Sequence, residues 1–503
     1  MKRPASRLLL GLCVLALAAG CRGRFGSESR TLTLAVRADV TGVFPNPPVA
    51  NEAYSIHINR SIFEGLVAFD RRLALGPALA EYWENPDETT TIFVLRKGLR
   101  FSDGRPVTGQ DVVASLLAPR AHRWITRDYL QAIESARVLD DRRLEIKTRT
   151  PYHILPFKLP FGFVLPADLI DQDPVPAVGT GPYRLERWTP GKELRLAHNP
   201  FYRGDPPHFS RVRFVIEPSA PARIAMVERG EALLADSLGP QDTERLAPAP
   251  GLRLITRPSI RILFLGFRVD EPPFSDPRIR EAVDLALDRP ELIRRALGGR
   301  PEAANQLVPR AVVGFNPQIP EARLDRQRAR TLLAQAGFPQ GFAIRLDGPH
   351  NRYINDREIL AEVARQLQEV GIQVTVNALD KRDFFALQGT RDCKFFLLGW
   401  ACESGEAGDA LDALVHSPSG AILGSMNSFG IVDGELDRLI DAANGTASRA
   451  ERTAYLQAAL ARVGELRPLL PLVVQSEAFL VSRRLRWDPP VNLALDVANM
   501  AEE

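Results

Sequence analysis

Three carboxylates crowd one short stretch, residues 399–410 (GWACESGEAGDA): Glu403, Glu406 and Asp409. Trp400 stands just before them, at the end of the apolar run CKFFLLGW (393–400). Paired acids such as Glu403 and Glu406, or Asp409 and Asp412, suit acid and base work on a glycosidic bond. The same acids suit a pocket for a cationic group. The plainest alternative is a surface loop that solvates itself. Other chemistries lack residues to carry them. The chain has no G-x-S-x-G elbow, phosphate-binding P-loop, H-E-x-x-H or C-x-x-C spacing. Its seven histidines are scattered, and of these His350 and His416 fall nearest the acidic stretch and its neighbouring loops. Cys393 and Cys402, if 393–400 is extended, lie too far apart to pair.

The elements around this stretch decide where it sits. Residues 342–399 alternate cleanly. A strand at 342–346 is followed by a helix at 356–370 that carries Ile359, Val363, Leu367 and Val370 inward. Then come a strand at 372–377, a helix at 381–387 and a strand at 394–399. Strand–helix–strand repeats predict parallel pairing with right-handed crossovers. Open α/β sheets bind ligands outside the carboxyl ends of their strands. Three loops answer to that rule: 347–355 (DGPHNRYIN), 378–381 and 399–410.

Upstream, the chain is rich in short strands: 31–36, 90–95, 143–148, 183–188, 194–197 and 211–216. A helix is expected over 53–69. Thr108 and Asp111 form a capping box for a helix that Pro119 stops. Gly179-Thr-Gly-Pro-Tyr183 is a turn entering a strand; it lacks the third glycine and the helix of a dinucleotide loop. After residue 260 come a buried strand (261–267) and helices begun by Asp276, Asp288 and Asp325. A helix at 449–464 and strands at 470–474 and 479–481 close the chain.

A length of 503 residues implies more than one lobe. Residues 1–20 read as a secretory leader: Lys2, Arg3 and Arg7, then an apolar core from Leu8 to Ala19. Without those cations the formal charge of +3 falls near zero, which leaves no basic field for nucleic acid. Leu17 to Cys21 resembles a bacterial lipobox. Cys21 is therefore the expected lipidation site, and 21–30 a short tether.

Longer motifs carry a wider resemblance. TIFVLRKGLRFSDGRPVTGQDVVASL (91–116), VGTGPYRL (178–185), NPFYRGDPP (199–207), FLGFRVDEPPFSDPRIREAVDLALDRPELI (264–293) and LAEVARQLQEVGIQVTV (360–376) are similar, in order, to blocks of the family 5 extracellular solute-binding proteins. These are the peptide- and nickel-binding components of bacterial ABC importers. The resemblance implies an α/β, two-lobed periplasmic-binding-protein-like clamp (type II, cluster C) with a hinge between the lobes. Residues 31–262 plus 478–503 would form lobe I, with an extra N-terminal subdomain, and 263–477 lobe II. The crossovers would lie near 260–268 and 470–480.

The same resemblance implies the site. The family often shows Gly-Trp-x-x-Asp, whose aspartate meets a peptide's α-amino group. Here Glu403 stands in that place, and Ala407-Gly408-Asp409-Ala410 replaces a usual Asp-Pro. The expected ligand-binding set is Trp400, Glu403, Ser404, Asp409, His350, Asn351 and Arg352, with Arg357 an alternative anchor for a carboxylate. No catalytic residue, metal or cofactor is expected. The expected partners are a short peptide or small solute, an ABC permease with its ATPase subunits, and a bacterial membrane held through the lipid. The protein would be a monomer on the extracytoplasmic or periplasmic side. Alternatives are a nickel or metal-chelate binder on the same fold, an enzyme, and a solute sensor without transport.

Overall fold

The computed structural model describes residues 30–40, 42–43, 53–122, 127–246, 249–419 and 423–503. The leader and Cys21 lie outside the described residues. Two long strands, Leu252–Phe267 and Leu469–Ser482, run antiparallel through the middle of the molecule. The end of the second pairs with Leu234–Ala235, in the N-terminal part of one large sheet, and Arg261–Phe267 of the first pairs with Phe395–Ala401, in its C-terminal part. The expected short strands at 261–267, 470–474 and 479–481 are thus pieces of these two. The ladder is irregular at two places: Pro258 pairs with Ser476 and Ile262 with Val474, so Ser259, Ile260 and Arg261 face Gln475 alone, and Leu472 is skipped between Leu263–Val473 and Phe264–Pro471. Extra residues on one strand bend and twist it locally.

On one side, the strand Thr31–Val36 pairs in parallel with Arg211–Ile216 and Leu234–Ala235. Their apolar faces share a core with Phe479, Trp487, Leu495 and Met500, so the C-terminal tail returns to the first half of the chain. A separate four-stranded sheet is built from Ala80–Asp87, Thr90–Leu95, Ile133–Val138 and Arg143–Thr148, with its own core. Thr108 and Asp111 form the expected capping box: Thr108 N–H and Oγ1 donate to Asp111 Oδ2, and Asp111 N–H donates to Thr108 Oγ1. The helix they begin, Gly109–His122, continues past Pro119 instead of stopping there.

The expected helix over 53–69 is shorter, Ala53–Asn59, and the chain then forms the strand Val67–Phe69. The helix gives way to a turn over 60–62, where the Ser61 and Ile62 carbonyls accept from the Tyr183 and Gly181 N–H groups; farther on, at Gly65, a Cβ would lie 2.4 Å from the Leu159 carbonyl oxygen. Only a backbone without a side chain passes that close.

On the other side, the strand–helix–strand alternation is observed as expected. Ala343–Pro349 pairs in parallel with Gln373–Leu379 along its length, and Asp347 pairs in parallel with Phe396 of the strand Phe395–Ala401. Asp276, Asp288 and Asp325 each accept a backbone N–H from the first turn of the helix they begin. Such caps contribute about 1 kcal/mol each. Cys393 and Cys402 are both buried and free.

Candidate functional site

The strand Phe395–Ala401 is buried from Phe395 to Trp400, and each such large apolar side chain contributes roughly 1.5–3 kcal/mol. It pairs antiparallel with Arg261–Phe267. Gly399 lets it pack: a Cβ would lie 2.5 Å from Leu263 Cδ2 and 3.0 Å from Tyr353 Cε1. Gly399 N–H donates to the Tyr353 hydroxyl at 2.8 Å, which ties the end of this strand to the 347–355 loop. That loop is itself folded over Asp356, whose Oδ2 accepts the Arg352 and Tyr353 N–H groups.

A cleft opens at these carboxyl ends. A chamber of about 1310 Å³ and a smaller one of about 140 Å³ share Arg261, Arg352, Lys381, Ala401 and Glu403. The smaller chamber is bounded by Arg37, His57 and Asn492 on the N-terminal side and by Asn351 and Arg352 on the other. The bulge residues Ser259, Ile260 and Arg261 and their counterpart Gln475 line it as well. The larger volume exceeds that of most single small-molecule pockets.

Glu403 is buried at the junction. Its Oε2 accepts from His57 Nε2 at 2.8 Å and from Asn492 Nδ2 at 2.9 Å. Burial opposes its charge. His57 and Arg60, with the hydrogen bonds from His57 and Asn492, overcome that and hold the carboxyl at about 2. No local pattern signals this pairing, because His57, Glu403 and Asn492 come from three distant parts of the chain.

The other expected residues divide. Trp400 lines the larger chamber, and its buried indole N–H has no hydrogen-bond partner among the described residues. Arg352 lines both chambers; its guanidinium lies over Phe385, 5.0 Å from the ring centroid. Asn351 reaches the smaller chamber while donating to Asp380 Oδ2 at 2.7 Å. Ser404 and Asp409 border neither chamber. They are buried in a turn in which Ser404 N–H donates to Asp409 Oδ2 at 3.2 Å. Burial pushes Asp409 up to about 6. His350 also borders neither chamber; its N–H donates to Leu379 O. The exposed side chain of Arg357 points to neither.

The acidic stretch is therefore not a solvated loop. Glu406 is buried and faces Arg452 at 3.5 Å. Asp412 is buried and pairs with Lys158 Nζ at 3.1 Å while accepting from Asn444. Lys158 belongs to the N-terminal side, so this pair, like His57–Glu403, joins the two halves. Among the described residues, no three His, Cys, Asp or Glu side chains gather where they could hold a metal ion. No described helix is long and apolar enough to cross a membrane.

The sequence pattern of the bacterial extracellular solute-binding proteins, family 5 (middle), matches residues 74–421. The chain belongs to that family. The glutathione-binding protein GsiB of Escherichia coli (strain K12) is 27% identical over 484 residues, spanning 92% of this chain and 93% of that protein. The ABC transporter-associated periplasmic binding protein DppA from Helicobacter pylori, in complex with the peptide STSA, superposes with a TM-score of 0.85. It is 20% identical and covers 95% of this chain and 99% of its own. AgaA from Agrobacterium (A. tumefaciens R10), in complex with agropinic acid, gives a TM-score of 0.82 at 23% identity, covering 94% and 99%. The fold is the two-lobed type II clamp of periplasmic binding proteins, and residues from both halves of the chain line the cleft described above.

Proposed function

We propose that this member of the family is the solute receptor of a bacterial ABC importer, enclosing a short peptide or related amine-bearing solute between its lobes. One observation carries the reading: a chamber of about 1310 Å³ lies between the lobes, at the carboxyl ends of parallel strands. Lobe I comprises 31–262 plus 478–503 and lobe II 263–477. The C-terminal tail's share in the first core supports that division, and the clamp closes by bending where the two long strands cross.

Within the cleft, Trp400 serves as a wall and Arg352 as an anchor for a carboxylate, with Asn351 beside it. Glu403 meets the solute's amine. Its hydrogen bonds from His57 and Asn492 both fall on Oε2, which leaves Oε1 for the amine. The protein performs no chemistry itself; ATP is hydrolysed by the importer's ATPase subunits. It works as a monomer on the outer side of the membrane, held there by lipid on Cys21. The leader and lipobox pattern of residues 1–21 supports that placement. Native mass spectrometry of the purified chain tests the reading. A retained peptide-like solute at one per chain is expected. An empty cleft that no peptide pool stabilises against heat refutes it.

A further inference from the structure

The charges around the cleft are unevenly committed. Four cationic side chains line the smaller chamber, Arg37, Arg261, Arg352 and Lys381, together with three carboxylates, Asp236, Glu403 and Glu477. The carboxylates are already engaged or weakened. Glu403 is held by His57 and Asn492. Asp236 accepts the Arg37 N–H at 2.8 Å and faces the buried Arg223 at 3.7 Å. Burial pushes Glu477 up to about 7, against the pull of Arg261, so much of it is uncharged at neutral pH. In the larger chamber, Asp39 is taken by the Trp188 indole and the Gly191 N–H.

Two cations have no such engagement. Among the described residues, the guanidinium groups of Arg37 and Arg261 make no hydrogen bond or ion pair; only their backbone N–H groups donate, Arg37 to Asp236 Oδ1 and Arg261 to Ser259 Oγ. Arg261 is half-buried: desolvation and the neighbouring charge of Arg352 lower its pKa, against the pull of Tyr353, Glu477 and Glu403. A desolvated guanidinium beside another cation is costly unless an anion joins it. Arg261 also stands in the break of the two long strands, where three residues face one. Arg37 follows the strand Thr31–Val36 on the first lobe.

We infer that the cleft takes a polyanionic carboxylate solute, with Arg261 at the hinge and Arg37 on the first lobe holding anionic groups beyond any that Arg352 holds. This rests on the solute-receptor reading and narrows it to acidic solutes. A guanidinium in this setting prefers a carboxylate because it offers two parallel N–H donors. An anion at Arg261 also touches the residue at which the strands bend, so ligand charge acts directly on closure.

The test is calorimetry on the full mature chain with Glu-Glu, Ala-Ala, Lys-Lys and citrate, repeated with Arg261→Gln, Arg261→Lys and Arg37→Gln. Glu-Glu is expected to bind at least about tenfold tighter than Ala-Ala or Lys-Lys, and Arg261→Gln to cost at least about tenfold on Glu-Glu alone. Arg261→Lys should retain part of that affinity. Ligand-free melting curves establish that each variant is folded, and Arg37→Gln provides an independent measurement should Arg261→Gln not fold. Equal binding of Ala-Ala or Lys-Lys, or a Glu-Glu affinity indifferent to both arginine substitutions, overturns the inference and leaves the peptide-receptor reading standing. Citrate binding with no peptide binding supports the inference and overturns the peptide class. Binding of none of the four overturns both.

Discussion

Replacing Glu403 with glutamine removes a charge while keeping a carbonyl oxygen that can still accept from Asn492. The carboxyl sits at about 2, against an ordinary 4.5. At about 1.4 kcal/mol per pH unit, that difference corresponds to roughly 3 kcal/mol of stability linked to the charged form. The value is depressed in the folded protein, so the contribution is complete above the unfolded value near 4.5. It is lost as pH falls through the folded value near 2, and by about pH 3 under half remains. Melting curves of the native chain and Glu403→Gln between pH 7 and pH 3 measure it. For a unit the size of one lobe, the expected gap at pH 7 is roughly 6–12 °C. It should shrink towards pH 3. Because His57 and Asn492 lie across the lobe junction, scattering of the variant should also show a more open average shape. Equal melting at pH 7, or a gap that does not shrink with acid, would refute the assignment of Glu403 as a charged junction residue.

Lys158→Met strands Asp412 as a buried, unpaired carboxylate and should destabilise the closed protein by about 3–5 kcal/mol. Lys158→Met with Asp412→Leu should recover much of that in a double-mutant cycle read by urea unfolding; two independent, additive losses would contradict an interaction between them. Gly179→Ala places a Cβ 2.2 Å from the Ile62 carbonyl oxygen. Backbone must move to admit it, so unfolding free energy should fall by about 1–3 kcal/mol, and an unchanged urea midpoint would contradict the close approach.

The parts legible in the sequence are those governed by local rules. Asp276, Asp288 and Asp325 read as helix starts because an aspartate before a helix has a local backbone partner. The alternation from Ala343 to Ala401 reads as a parallel sheet because strand and helix periods differ. Two features escaped because long-range contacts decide them. The helix expected over 53–69 ends at Asn59, beyond which the Ser61 and Ile62 carbonyls accept from Tyr183 and Gly181, far away in the chain. Glu406, Asp409 and Asp412 look like solvated acids among glycines, yet they are buried against Arg452, Ser404 and Lys158. Arg37 and Arg261 escaped for the opposite reason: a lone arginine at a strand end has the pattern of a surface residue, and only the fold shows that it faces a cleft.

The paired strands Leu252–Phe267 and Leu469–Ser482 have a mechanical consequence. They are stitched together on both sides of the break at Ser259–Arg261. Sliding one past the other would break every rung, whereas flexing where no rungs exist breaks none. The joint therefore behaves as a leaf spring with its wide slot at Ser259–Arg261 and a narrower one at Leu263–Phe264. It resists shear and stretching and flexes most readily at the wider slot, so the two lobes keep their registry along the strands while the angle between them changes.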